Sequence, residues 1–165
     1  MAKWIMGKGL NNYIAYLQKL NLVTDEVIGE AVYEMAKVVA DKVRANIQAL
    51  PAVSNEANIA TYKQGKSSLS EPEKQGLLDG FGVAPLQNDN GYLNVKLGFD
   101  GYNSIKTKKY PKGQPNALMA RVTESGSQYR DKTPFMRPAV NAMRQKAIKA
   151  AQVTIDEKIE AIDQE

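Results

Sequence analysis

This sequence predicts an α+β fold, a small and mainly antiparallel sheet packed against two long α-helices, with additional short helices. Three stretches carry that prediction. Ile28, Val32, Met35, Val39, Val43 and Ile47 recur at helical spacing as one continuous apolar stripe. Near the other end of the chain, Met136, Val140, Met143, Ala147, Ile155 and Ile159 mark a second long helix. Between them Leu93, Val95, Leu97 and Phe99 alternate with Tyr92, Asn94, Lys96 and Gly98, the period of a half-buried strand. At 165 residues, 43% of them hydrophobic, the chain can bury one core but not two, so a single domain over residues 1–165 is expected.

Taken in order, Leu10, Tyr13, Ile14, Leu17 and Leu20 form a short amphipathic helix. The first long helix spans 25–49: Thr24 is its cap, Asp25 and Glu26 suit the positive end of the helix dipole, and Pro51 stops it. Residues 52–76 lose the periodicity and turn polar around Tyr62-Lys63-Gln64-Gly65-Lys66-Ser67-Ser68, which predicts a long mobile loop. From Leu77 the period is two, and strands at 83–86 and 92–99 flank residues 87–91. There Asn90-Gly91 signals a tight turn, so a hairpin is expected.

Residues 101–115 are rich in Gly, Pro and Lys and predict a second exposed, mobile loop. Residues 116–125 make a short helix, capped by Asn116 and closed by Gly126. The last helix occupies 134–162. Its start is open between a Thr133 cap and a lead-in of Pro134-Phe135-Met136-Arg137 before Pro138.

Composition removes whole classes of chemistry. The chain has no cysteine, hence no disulfide, thiolate nucleophile or cysteine-held metal, and no histidine, hence neither the usual general base nor the commonest nitrogen ligand. The charge of +4 permits a polyanionic partner without demanding one, because the lysines and arginines are spread over helix faces and loops. The apolar run in the first nine residues is too short for a signal peptide, and no later run approaches the roughly 20 residues of a membrane span. A soluble protein that does not engage a membrane is the expectation.

Three motifs fail, two on their spacing and one on its setting. Gly65-Lys66-Ser67 lacks the glycine a phosphate loop needs five positions earlier, where Ala60 stands. Gly80-Phe81-Gly82 lacks the third glycine of a dinucleotide fingerprint, since residue 85 is proline. Asp156-Glu157-Lys158 has the letters of a metal-dependent nuclease but sits on a polar helix tail, where such residues form solvated pairs. No catalytic residue, cofactor or metal is expected.

The segment 121–139 differs in kind. Pro134, Pro138 and Gly126 pin the backbone between two helices, while Arg121, Glu124, Arg130 and Arg137 supply directional charge. Such an elbow suits recognition of a protein surface, and equally an ordinary connection between helices. Within it, Glu124-Ser125-Gly126 closes a short helix and Pro134-Phe135-Met136-Arg137-Pro138-Ala139 opens a long one. With Gly82-Val83-Ala84-Pro85 and Val95-Lys96-Leu97-Gly98-Phe99-Asp100 as central strands, residues 10–160 resemble the head-tail joining and tail-completion family of long-tailed bacteriophages and prophages. The chain departs from that family in lacking a threonine-glycine and arginine-rich stretch at 51–76 and in the basic loop at 106–115.

The resemblance implies a structural virion protein, assembled in the host cytoplasm and catalysing nothing. It would join a ring of six copies at the head-proximal end of a tail, touching the head-tail connector and tail tube proteins, with DNA passing through. Arg121, Glu124, Gly126, Arg130, Pro134, Phe135, Arg137 and Pro138 are then the candidate protein interface. Glu124 and Arg137 serve as polar anchors and Phe135 as the apolar one. The competing reading is a nucleic-acid-binding protein whose phosphate contacts are Lys63, Lys66, Lys106, Lys108, Lys109 and Lys112. A carboxylate-metal hydrolase is a third, without convincing ligand spacing.

Overall fold

Thr24 stands at the start of the continuous apolar stripe, its carbonyl accepting the Ile28 N–H at 3.1 Å and its hydroxyl lying 3.4 Å from the Val27 nitrogen. The helix that follows, Asp25–Ala49, buries all six residues of the expected stripe, from Ile28 at 4% exposed to Val39, Val43 and Ile47 at 0%. The structure is a computed structural model and describes residues 2–3, 8–19 and 24–163. In chain order its elements are β1 (Ala2–Lys3), α1 (Lys8–Lys19), α2 (Asp25–Ala49), α3 (Asn55–Lys63), α4 (Glu71–Gly80), β2 (Phe81–Val83), β3 (Gln87–Asp89), β4 (Tyr92–Asn94), β5 (Lys96–Phe99), α5 (Asn116–Ser125) and α6 (Met136–Asp163). The class is α+β, as the periodicities predict. Two compact units are built from interleaved segments: 1–41, 83–97 and 142–165 form the first, 42–82 and 98–141 the second.

In the first unit, Leu10 and Ile14 of α1 are buried; of the others expected on the same stripe, Leu17 is described in its backbone alone and Leu20 lies outside the described residues. Along α6 the fully buried positions here are Ala147, Ala151 and Ile155. Four-residue spacing and alanine side chains let a neighbouring backbone come close. The Tyr13 hydroxyl donates to the Asp156 carboxylate. That bond first, then burial, then the negative charge of Asp156 push the Tyr13 pKa from 10.0 to about 12.

The sign follows from linkage. A folded-state pKa above the unfolded value supports the fold fully below pH 10.0, and the support is lost as pH rises towards 12. Stability measured by denaturant titration is therefore expected to fall across that window, and Tyr13→Phe to flatten the fall. Parallel curves for the two proteins would contradict it.

The hairpin sits on its predicted turn but with different strands. Asn90 has φ 57° and Gly91 φ 86°, a two-residue turn, and the Gly91 N–H also donates to Asn88 Oδ1 at 2.6 Å. A loop that short sets Asp89 opposite Tyr92, Asn88 opposite Leu93 and Gln87 opposite Asn94. The polar residues 87–89 thus form β3, where strand 83–86 was expected. Leu86 instead rests on α2 at Gly29, where an added Cβ would lie 2.6 Å from Leu86 Cδ2.

The second strand breaks at Val95 into β4 and β5, though Leu93, Val95 and Leu97 are all buried as the alternation requires; Asn94, expected on the outer face, is buried too. The three-stranded sheet runs β1-β5-β2, with Ala2 opposite Leu97 and Lys3 opposite Lys96. Its first strand was not apparent in the sequence.

In the second unit, the loop expected at 52–76 is corrected to two helices joined by a short link. Ser54 caps α3, accepting the Ala57 N–H at 3.2 Å. Glu73 reaches back to the Ser70 N–H at 2.8 Å to open α4, which has Pro72 in its first turn. Val53 and Ser70 form a parallel bridge between the segments, and Lys74 Nζ donates to the Leu50 carbonyl at 2.9 Å. Because α4 runs to Gly80, Leu77 belongs to a helix and not to the start of the period-two region.

α4 and α5 pack closely, and two glycines one turn apart on α4 permit it. A Cβ on Gly76 would come within 2.5 Å of Asn116 Oδ1, and one on Gly80 within 2.3 Å of the Asp100 carbonyl. Asn116 is accordingly buried, its Nδ2 donating to the Asp100 carbonyl at 2.8 Å. The cap of α5 is Pro115, and the expectation of Asn116 in that role is corrected.

Candidate functional site

α6 starts at Met136, between the two alternatives the prolines left open. The first four N–H groups of a helix have no partner inside it. Here they belong to Phe135, Met136, Arg137 and position 138, where proline has no N–H to satisfy. The other three donate to one side chain: Glu124 Oε2 accepts from Phe135 at 2.7 Å and Met136 at 2.9 Å, and Oε1 from Arg137 at 3.0 Å. A carboxylate at the positive end of a helix is stabilising in its own right. Glu124 is thus the cap of α6, supplied from the end of α5.

Between the two helices the chain turns back tightly. Gly126 ends α5 with φ 79°, a conformation L side chains rarely adopt, and its N–H donates to the Val122 carbonyl at 2.9 Å. The Ser127 N–H donates to the Arg130 carbonyl at 2.8 Å, and the Thr133 N–H to the Thr123 carbonyl at 2.7 Å. Replacing Glu124 with alanine leaves three N–H groups without their acceptor. It is expected to cost about 2–3 kcal/mol in urea denaturation, with Glu124→Gln, which keeps one acceptor oxygen, losing less. An unchanged midpoint for the alanine variant would contradict the capping role.

Two side chains expected to face a partner are turned inward instead. Phe135 is 1% exposed, its ring 5.9 Å from Phe99 at 84°, while Phe99 lies 5.2 Å from Phe81. The Arg44 guanidinium stands 5.4 Å over the Phe81 ring, and Asn46 Nδ2 donates to the Phe135 carbonyl at 2.9 Å. Phe135 is thus an anchor of the unit's own core.

Arg130 is 8% exposed and pairs with the still more buried Glu73, its Nη2 at 3.0 and 2.9 Å from the two carboxylate oxygens. The same nitrogen donates to the Ser68 carbonyl at 2.7 Å, and Nε to Ser67 Oγ at 3.2 Å. The elbow is thereby fastened to the segment that opens α4. Arg121, Pro134, Arg137 and Pro138 remain exposed on its outside, while Glu124 and Gly126 are half-buried.

The basic residues lie in the second unit, on the 101–115 loop and at the end of α3. Residues 101–115 contain no helix or strand, as expected. The loop is cross-tied: Tyr102 bridges Pro115, and the buried Asn103 carboxamide oxygen accepts the N–H of Ile105 at 3.0 Å and of Gln114 at 3.1 Å. Thr107 and Tyr110 exchange backbone hydrogen bonds of 3.1 Å, which presents Lys108 and Lys109 at an exposed tip, with Lys106 and Lys112 exposed on either side. Lys63 and Lys66 flank the end of α3.

Of these lysines, Lys106 lines a groove of about 620 Å³ together with Ile59, Tyr62, Tyr129 and Arg130. Tyr62 and Tyr129 meet there edge-on at 5.6 Å. The apolar members of that groove were not among the expected site residues. The adjacency of Tyr62 to Lys63 and of Tyr129 to Arg130 was the signal available.

Among the described residues no group of three or more metal-ligating side chains comes together, and no helix is long and apolar enough to cross a membrane. No model of a known protein family, no curated protein and no solved structure matches the chain.

Proposed function

We propose that the chain is a structural virion-assembly protein of a long-tailed phage or prophage. It would build or complete the ring at the head-proximal end of the tail and catalyse no reaction. The observation that carries this reading is the Glu124 cap. Two of the four short stretches that carry the family resemblance, Glu124-Ser125-Gly126 and Pro134 to Ala139, form one hydrogen-bonded joint, with the Glu124 carboxylate on three N–H groups of the second. A joint fixed that firmly holds the exposed Arg121, Arg137, Pro134 and Pro138 in a set arrangement, which suits repeated burial against neighbours in a symmetric assembly. Glu124 and Phe135 act in this reading by building the joint, and Arg137 by touching a neighbour.

Complementation with an Arg137→Glu variant tests the assignment. The variant is expected to fold like the parent by circular dichroism and to be missing from purified particles. A folded variant that enters particles at the parental level contradicts the interface.

A second reading is favoured by the exposed Lys106, Lys108, Lys109 and Lys112 on their cross-tied loop. As phosphate contacts they would give duplex DNA binding that weakens steeply with salt, since each neutralised phosphate releases counterions.

A further inference from the structure

We infer that the α3 face of one copy of this chain docks on the acidic face of α2 in a second copy. α3 is a nine-residue helix without one buried residue. Helices that short gain little from their own backbone and are ordinarily held by the apolar face they bury. Here the apolar side chains are turned out: Ile59 is 48% exposed, Tyr62 57% and the adjoining Tyr129 46%. Lys63, Lys66 and Lys106 stand exposed around them, against the one carboxylate of α3, Glu56. The face is apolar at its centre and positive at its rim.

The first unit carries the opposite pattern. Glu26, Glu30 and Glu34 recur every four residues along α2, and Glu157 of α6 lines the same groove, where Tyr33 and Leu86 are 43% and 39% exposed. Like charges at that helical spacing repel one another. Lys158 answers Glu30 at 2.8 Å and Lys37 answers Glu34 at 3.3 Å. What remains is an apolar centre with a net negative rim, open enough to take the edge of a helix.

Joining the two faces covers large apolar side chains on both and sets lysines against glutamates. A nucleic-acid partner would use the same lysines but leave the acidic face of α2 unexplained. Because the two faces differ, the contact is head-to-tail, and it closes into a ring when the rotation between copies allows. The inference rests on the assembly reading for the ring it would build.

Sedimentation velocity at low salt tests it on four samples: the full wild-type chain, Lys63→Glu/Lys66→Glu, Glu26→Lys/Glu34→Lys, and an equal mixture of the two variants. Circular dichroism checks that each is folded. The wild type is expected to self-associate, less so as salt rises, and each variant alone to be monomeric. The mixture is expected to associate again, because each reversed face then meets a reversed partner. A wild type that stays monomeric at millimolar concentration overturns the inference, as do variants that associate like the parent or a mixture that fails to recover.

Capture of a short DNA duplex by a wild type that does not self-associate, lost in the lysine variant, assigns the lysines to nucleic acid instead. Defective tails on gene inactivation with no self-association sink this contact alone. Self-association beside normal particles sinks the assembly reading and keeps the contact.

Discussion

Arg130→Ala is expected to destabilise the chain by about 3–5 kcal/mol, because it leaves the largely buried Glu73 carboxylate without its counter-charge. Arg130 and Glu73 have side chains 8% and 4% exposed, and the guanidinium also holds Ser67 and Ser68. Removing it therefore leaves the elbow tied to the segment before α4 by the Ser67 N–H on the Tyr129 carbonyl, without the guanidinium's bonds, as well as unpairing a charge. A small domain is held by about 5–15 kcal/mol in all, so the variant should unfold at markedly lower urea.

Arg130→Lys is expected to rescue little, since an ammonium cannot reproduce the fork of a guanidinium. The double variant Arg130→Met/Glu73→Leu should lose less than Arg130→Ala, because it leaves no charge uncompensated. A loss under about 1 kcal/mol for Arg130→Ala would place the pair among ordinary solvated ones.

Phe135→Ala is the second large effect, also about 3–5 kcal/mol, the usual cost of removing a fully buried ring and leaving a cavity. The ring is 1% exposed and sits edge-on to Phe99, which in turn stacks towards Phe81. As the apolar anchor of a protein interface, the role the family resemblance implies for it, Phe135 would be replaceable by alanine without loss of the fold. Its burial reverses that expectation and leaves Arg137, exposed two residues further on, as the informative interface probe. Phe135→Leu, which keeps much of the apolar volume, should lose less. Equal midpoints for Phe135→Ala and the parent would return the residue to the surface.

What could be read in the sequence was whatever repeats on one element. α2 was legible because a 25-residue helix lays down a full apolar stripe, and its bounds agree with those read from Thr24 and Pro51. α5 was legible from its length and Gly126, and the hairpin turn from Asn90-Gly91. α3 and α4 escaped because they carry no such stripe; their evidence was local, Ser54 before one and Ser70 three residues before Glu73 in the other.

The candidate site escaped further still, since its bonds join distant residues. Glu124 caps a helix that begins twelve positions later, outside the three-residue reach of a capping box, and Arg130 meets Glu73 across 57 positions. Neither pairing repeats at any interval that a sequence pattern can register. Their charges were visible, but whether they faced inward or outward was decided by packing.

Electron microscopy of lysates tests the assembly role most directly, comparing a phage or induced prophage in which this gene is inactivated with its intact parent. Filled heads beside separate or overlong tails are expected. Normal particles in normal numbers would contradict it and move nucleic-acid binding by the exposed lysines to the front.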